Sequence, residues 1–201
     1  VGRLGDVAEQ ARNNVSPFSA PDTLFLHFSI PAFDEGQWPK LESGADIKSQ
    51  KTLVPPGVVL LSKLNPEINR VWLVDVRPQD RVVRSTEFLV LRPRSPYGRS
   101  FQYCTPRSEG FRREIEGLVT GTSKSHQRAQ AGAILGLATL KPSEALVRAF
   151  EGVAGPLLER TLQCRCESRT LAALRDALLP KLIREEPRVK DAERFLKERG
   201  L

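Results

Sequence analysis

The chain contains no methionine, two histidines and three cysteines, and aromatic residues make up only 6% of its 201 positions. So few imidazoles and thiols leave little material for metal ligation or nucleophilic catalysis. Cys104, Cys164 and Cys166 show no Cys-x-x-Cys spacing. The pair 164 and 166, two apart on an expected helix, points to different faces, which favours reduced thiols over a disulfide or a zinc site. A Cys104–His126 nucleophilic pair is conceivable because a thiol needs a base beside it, yet no spacing supports it. Apolar runs are also short. None approaches the roughly eighteen residues of a membrane span, and the first residues lack a signal-peptide pattern. A cytoplasmic chain, neither membrane-spanning nor secreted in this form, is expected. With no initiator methionine, Val1 is either a truncation boundary or an alternative start.

What the chain does have is charge and one long periodic stretch. Apolar residues at 40% suffice for a core, and 27% charged residues with a net charge of +7 favour a polyanionic partner. Arginine outnumbers lysine, and its planar fork suits phosphates and guanine edges. From Ser143 to about Leu182, Phe150, Leu157, Cys164, Leu171 and Leu178 recur every seven residues. Leu146, Val153 and Leu174 fill the alternate seam position, while Arg160, Glu167 and Lys181 interrupt it. Such heptads describe a helix that lays a narrow apolar stripe along a partner helix. At about 1.5 Å per residue it would be roughly 55–60 Å long. The plainer alternative is an amphipathic helix folded back on its own domain. Ser143 with Glu144 fits a helix start. Pro156 predicts a kink, and Pro180 and Pro187 are expected to bound the end, with a short charged helix over 191–199.

Ahead of this arm the pattern is that of an α+β body, about 1–142, followed by a helical arm, about 143–201. Leu4 to Ala11 reads as a short helix or extended segment. Leu24–Ile30, Val58–Leu61 and Arg70–Asp75 read as strands, and Arg81–Val83 with Glu87–Leu91 as a further pair. The stretch after Pro31, through Gln50, reads as loop. Tyr97 to Leu118 predicts one or two short helices, 119–130 a polar loop, and Ala133–Leu137 a strand or apolar bend.

Two polar loops carry the candidate chemistry. The first runs from Lys63 through Asn65 to Asn69 and Arg70, directly after a buried strand. The second holds Ser123, Lys124, His126, Gln127 and Arg128. Lys63, Arg70, Lys124 and Arg128 suit electrostatic contacts; Asn65, Asn69, His126 and Gln127 have donor–acceptor edges that match bases, and Ser123 suits a phosphate. Asn-Pro and Gly-Thr-Ser are equally ordinary turn sequences. Asn65-Pro66-Glu67-Ile68 has only the start of the Asn-Pro-Pro-aromatic signature of amino-methyltransferases. No glycine-rich loop follows a strand, so neither a cofactor nor catalysis by this chain itself is expected.

Ser62–Pro66 (SKLNP) followed by Arg70–Trp72 (RVW) resembles the strand-loop-strand of the target recognition domain in type I restriction–modification DNA-specificity subunits. SIPAFDEG (Ser29–Gly36), IKSQK (Ile47–Lys51) and the TGTSKSHQR loop match the same domain, and Leu174–Ile183 resembles the end of that family's helical spacer. The resemblance implies a mixed-sheet, DNA-reading domain on a coiled-coil helix arm. A complete subunit of the family carries two such domains whose spacer helices pack antiparallel. It docks methyltransferase subunits, which bring S-adenosylmethionine, and in the full complex a translocating nuclease. One body and one arm imply half a subunit, either a fragment or a natural half that pairs with a second half or a second copy. The seam residues Leu146, Phe150, Val153, Leu157, Leu171, Leu174 and Leu178 would make that pairing. The alternative is an arm-bearing adaptor without specific DNA readout.

Overall fold

The computed structural model describes residues 1–11, 13–119, 127–183 and 197. The elements run β1 (Gly2–Arg3), α1 (Leu4–Val7), β2 (Ala8–Gln10), β3 (Asn14–Val15), β4 (Leu24–Phe28), α2 (Ile30–Asp34), β5 (Lys40–Ser43) and β6 (Lys51–Leu53). They continue with β7 (Val59–Ser62), β8 (Val71–Leu73), β9 (Val82–Arg84), β10 (Phe88–Pro93), α3 (Arg99–Cys104) and α4 (Glu109–Glu116). The last are α5 (Ala131–Gly136), β11 (Ala138–Thr139) and α6 (Glu144–Ile183). This is an α+β fold with a long C-terminal helix. Two compact units divide at Gly155/Pro156, inside α6 and later than residue 142.

In the first unit, β2-β10-β7-β8 form an antiparallel sheet and β3-β6-β9-β4-β5 a mixed one, in which β4 and β9 run parallel. Trp72 of β8 sits where the sheets meet. Its ring lies 4.5 Å from Phe28, 5.3 Å from Phe33 and 6.0 Å from Phe88, centroid to centroid, in tilted or edge-on arrangements. Leu60, Val82 and Val90 complete that core. Continuous apolar runs explain the fully buried strands β7 and β8, which are covered on both faces.

Several sequence expectations change here. The strands expected at 81–83 and 87–91 do not pair with one another: β9 joins β4 and β6, whereas β10 joins β7 and β2. The expected loop after Pro31 holds α2 and β5. Ser29 caps α2 by accepting from the Ala32 amide at 3.3 Å, and Pro31 fits the first turn, where its missing N–H is not needed. Ala133–Leu137 forms no strand. It is mostly the one-turn helix α5, held by buried Ile134, and the strand follows at β11, which pairs with β1. α6 runs through Pro180 to Ile183, since a proline near the last turn forfeits only a single backbone bond. The short helix expected over 191–199 lies outside the described residues, apart from Lys197.

The root of α6 is fixed to the body by chemistry. The Glu151 carboxylate accepts from the amides of Ser100 (3.2 Å) and Phe101 (2.8 Å), capping the open N-terminus of α3. Any side chain at Gly98 would collide with that carboxylate. Val147 is fully buried, and Phe150 meets Phe101 edge-on at 6.3 Å.

Candidate nucleic-acid interface

The loop between β7 and β8 is closed at its base by the Ser62 amide, which donates to the Arg70 carbonyl at 2.9 Å. Ser62 Oγ folds the first turn, donating to the Leu64 carbonyl (2.9 Å) and accepting from the Leu64 amide (3.1 Å). Asn65 adopts φ of 47°, a left-handed conformation that asparagine tolerates better than most residues. The Arg112 guanidinium of α4 donates to the Glu67 carbonyl at 2.7 Å and steadies the tip.

The described end of the second loop is zipped onto the first. The Asn65 amide donates to the Gln127 carbonyl at 2.8 Å, the Ala129 amide donates to the Lys63 carbonyl at 3.0 Å, and Leu64 bridges Arg128 in antiparallel register. Lys63, Asn65, Gln127 and Arg128, which lie far apart in sequence, are thereby brought together. Ser123, Lys124 and His126 lie outside the described residues.

Two side chains here are organised differently from their sequence reading. Arg70 is buried, and its fork grips Asp34 of α2 through two 2.8 Å bonds. It therefore acts as a strut between loop and body in this structure, not as a surface cation. Asn69 is half-buried, and its Oδ1, like that of Asn65, is buried without a partner.

Sequence reasoning passed over Glu87 and Arg84. Glu87, in the β9–β10 turn, pairs with Arg128 at 2.9 Å, and its backbone carbonyl accepts from the Lys63 amide at 2.8 Å. Lys63 is half-buried. Desolvation lowers its pKa first of all; Glu87 opposes that, while Arg84 and Arg128 add to it. Arg84 follows Val82 on the same face of β9 by the two-residue strand period. A charged residue on a core-facing register was the one signal that could have singled it out.

Among the described residues, those of the predicted seam on α6 are exposed. Leu157 and Leu171 are 64% and 65% exposed, and Leu146, Phe150, Val153, Leu174 and Leu178 are exposed as well. Leu146 and Phe150 also wall an apolar groove of about 610 Å³ with Phe101, Phe111 and Leu140. Burial holds the neighbouring Cys104 thiol above its ordinary range, with Arg107 opposing and Glu151 reinforcing the shift, so the thiol stays protonated. Among the described residues no group of three His, Cys, Asp or Glu side chains could hold a metal, and no helix is long and apolar enough to cross a membrane.

Polar loops zipped together on a β-sheet body, with a long C-terminal helix whose described seam residues are exposed, define a loop-presenting α+β domain. Comparison with known proteins gives no matching family model and no matching curated relative. Solved structures do match. A chain from a type I R-M system, described for its complex assembly and conformational transition, is 26% identical with a TM-score of 0.61, over 92% of this chain and 48% of that one. The HsdS subunit from Thermoanaerobacter tengcongensis, 22% identical, has the same fold with a TM-score of 0.57, over 88% of this chain and 47% of its own. The fold is that of a type I restriction–modification specificity subunit, and this chain spans about half the length of the chains it matches.

Proposed function

We propose that the chain reads one half of a bipartite DNA target as part of a type I restriction–modification specificity subunit. It performs no chemistry itself and works in a cytoplasmic complex. The observation that carries this reading is the pair of hydrogen bonds and the bridge joining Lys63–Asn65 to Gln127–Ala129. That join fixes cations and amide-bearing side chains with respect to each other, as phosphate anchoring and base readout require. Lys63 and Arg128 contact phosphates. Ser123 and Lys124 from the remainder of the loop join them, and Asn65, Asn69, His126 and Gln127 read base edges. The exposed stripe on α6 pairs with the helix of a second half or a second copy, holding two reading heads at a fixed separation. Methyltransferase subunits, and in the full complex a translocating nuclease, dock on that assembly.

The test is binding to a pool of random-sequence duplexes, followed by sequencing of the retained fraction. Affinity should fall steeply with salt, because each phosphate contact releases counterions. One half-site motif should emerge, and Gln127→Ala should relax it at about 1–3 kcal/mol for its own base pair. Retention of a methyltransferase without retention of any duplex would replace this reading with that of an arm-bearing adaptor.

A further inference from the structure

Arg84 is only 5% exposed. Its Nη1 donates to the Ser85 carbonyl at 3.0 Å, its Nε is buried without a partner, and among the described residues no carboxylate pairs with it. Desolvation pushes its pKa down to about 10. A guanidinium taken out of water without a counter-ion is unfavourable, and hydrophobic replacements of buried ions are often stabilising. A buried guanidinium with an unpartnered Nε is a candidate anion-binding group. Lys63 lies within charge–charge reach of this group and of Arg128 and Glu87. Around Lys63 stand one carboxylate and two further cations; Glu87 Oε1 is engaged by Arg128, while its Oε2 is buried without a partner. Positive charge held in a low-dielectric setting attracts anions more strongly than the same charge on an open surface.

We propose that Lys63 and Arg84 form a binding site for a phosphate oxyanion, with Lys63 as the reachable contact and Arg84 as the buried charge that strengthens it. The inference rests on the DNA reading for the carrier of that oxyanion, one backbone phosphate of the duplex. Inorganic phosphate presents the same chemistry, and the test separates the two sources.

The experiment compares the full chain with Arg84→Met, using a random-sequence duplex and inorganic phosphate as probes. Duplex affinity at low salt should fall roughly tenfold, because the Lys63 contact loses the buried charge that strengthens it. Lys63→Met, which removes the contact itself, should make the slope of log affinity against log salt shallower by about 0.9. Phosphate, compared with chloride at equal ionic strength, should raise the melting temperature of the parent chain and not of the variant. Without ligand the variant should melt about 2–4 °C higher. Should Arg84→Met fail to fold, Lys63→Met carries the same duplex and phosphate readouts. Unchanged duplex affinity in Arg84→Met overturns the inference while leaving the DNA reading intact. A phosphate effect lost in the variant, with no duplex retained by the parent chain, keeps the oxyanion site and removes the DNA reading. Response to neither probe by the parent chain overturns both.

Discussion

Replacing Asp34 with alanine asks whether Arg70 is a strut or a DNA contact. In the native chain the Arg70 Nε and Nη2 each donate to one Asp34 oxygen at 2.8 Å, and the Arg70 side chain is 8% exposed against 46% for Asp34. Removing the carboxylate leaves a buried cation whose Nη1 already lacks a partner. Breaking a fully buried pair from one side costs about 3–5 kcal/mol. Because Asp34 is half exposed, water screens part of that attraction, and we expect about 2–3 kcal/mol. For a domain of 150–250 residues this corresponds to a fall in melting temperature of about 4–12 °C. Fluorescence of Trp72, buried in the core beside the same loop, reports the transition. Urea titration should show a lower midpoint with an unchanged slope. A double-mutant cycle with Arg70→Met should recover much of the loss, since the orphaned cation is then gone. If Asp34→Ala melts within about 1 °C of the native chain, or if Arg70→Met weakens duplex binding without touching stability, the strut assignment is wrong.

The arm gives a second prediction. Leu157→Glu with Leu171→Glu should lower the mass measured by sedimentation equilibrium, because exposed stripe residues are then no longer able to form an apolar seam; an unchanged monomeric mass before and after would remove self-association as the role of the stripe. His27 gives a third, in pH. Burial is the main cause lowering its pKa beneath the ordinary 6.5, and Lys51 assists, while the hydrogen bond and charge of Glu42 oppose the shift. Between the lowered folded value and 6.5 the unfolded chain binds more protons, so stability there rises with pH. The contribution is full above about 6.5 and is lost as pH falls through the folded value. Its Nδ1 lies 2.5 Å from Glu42 Oε2 and its Nε2 is buried without a partner, consistent with a neutral ring that donates from Nδ1. Thermal melts from pH 5 to 8 on the native chain and on His27→Gln should differ in slope; parallel curves would refute the assignment.

Local pattern alone determined a good deal of this protein. Period-seven apolar residues over 146–178 specified the long helix, and the unbroken apolar runs at 58–61 and 71–73 specified the buried strands, because those signals depend only on residues near one another along the chain. The resemblance carried by SKLNP, RVW and the arm sequence pointed to the fold that the solved structures share. Tertiary structure alone decided which strands are neighbours, sending β9 and β10 to different sheets, and turned the loop after Pro31 into a helix that carries Asp34 to Arg70. It also joined Lys63–Asn65 to Gln127–Ala129 and put Glu87 and Arg84 beside them. A charged residue reads the same in sequence whether it meets water, a carboxylate or nothing at all. What separates a strut from a free cation is the partner that distant backbone brings within reach, and that follows from packing rather than from local order.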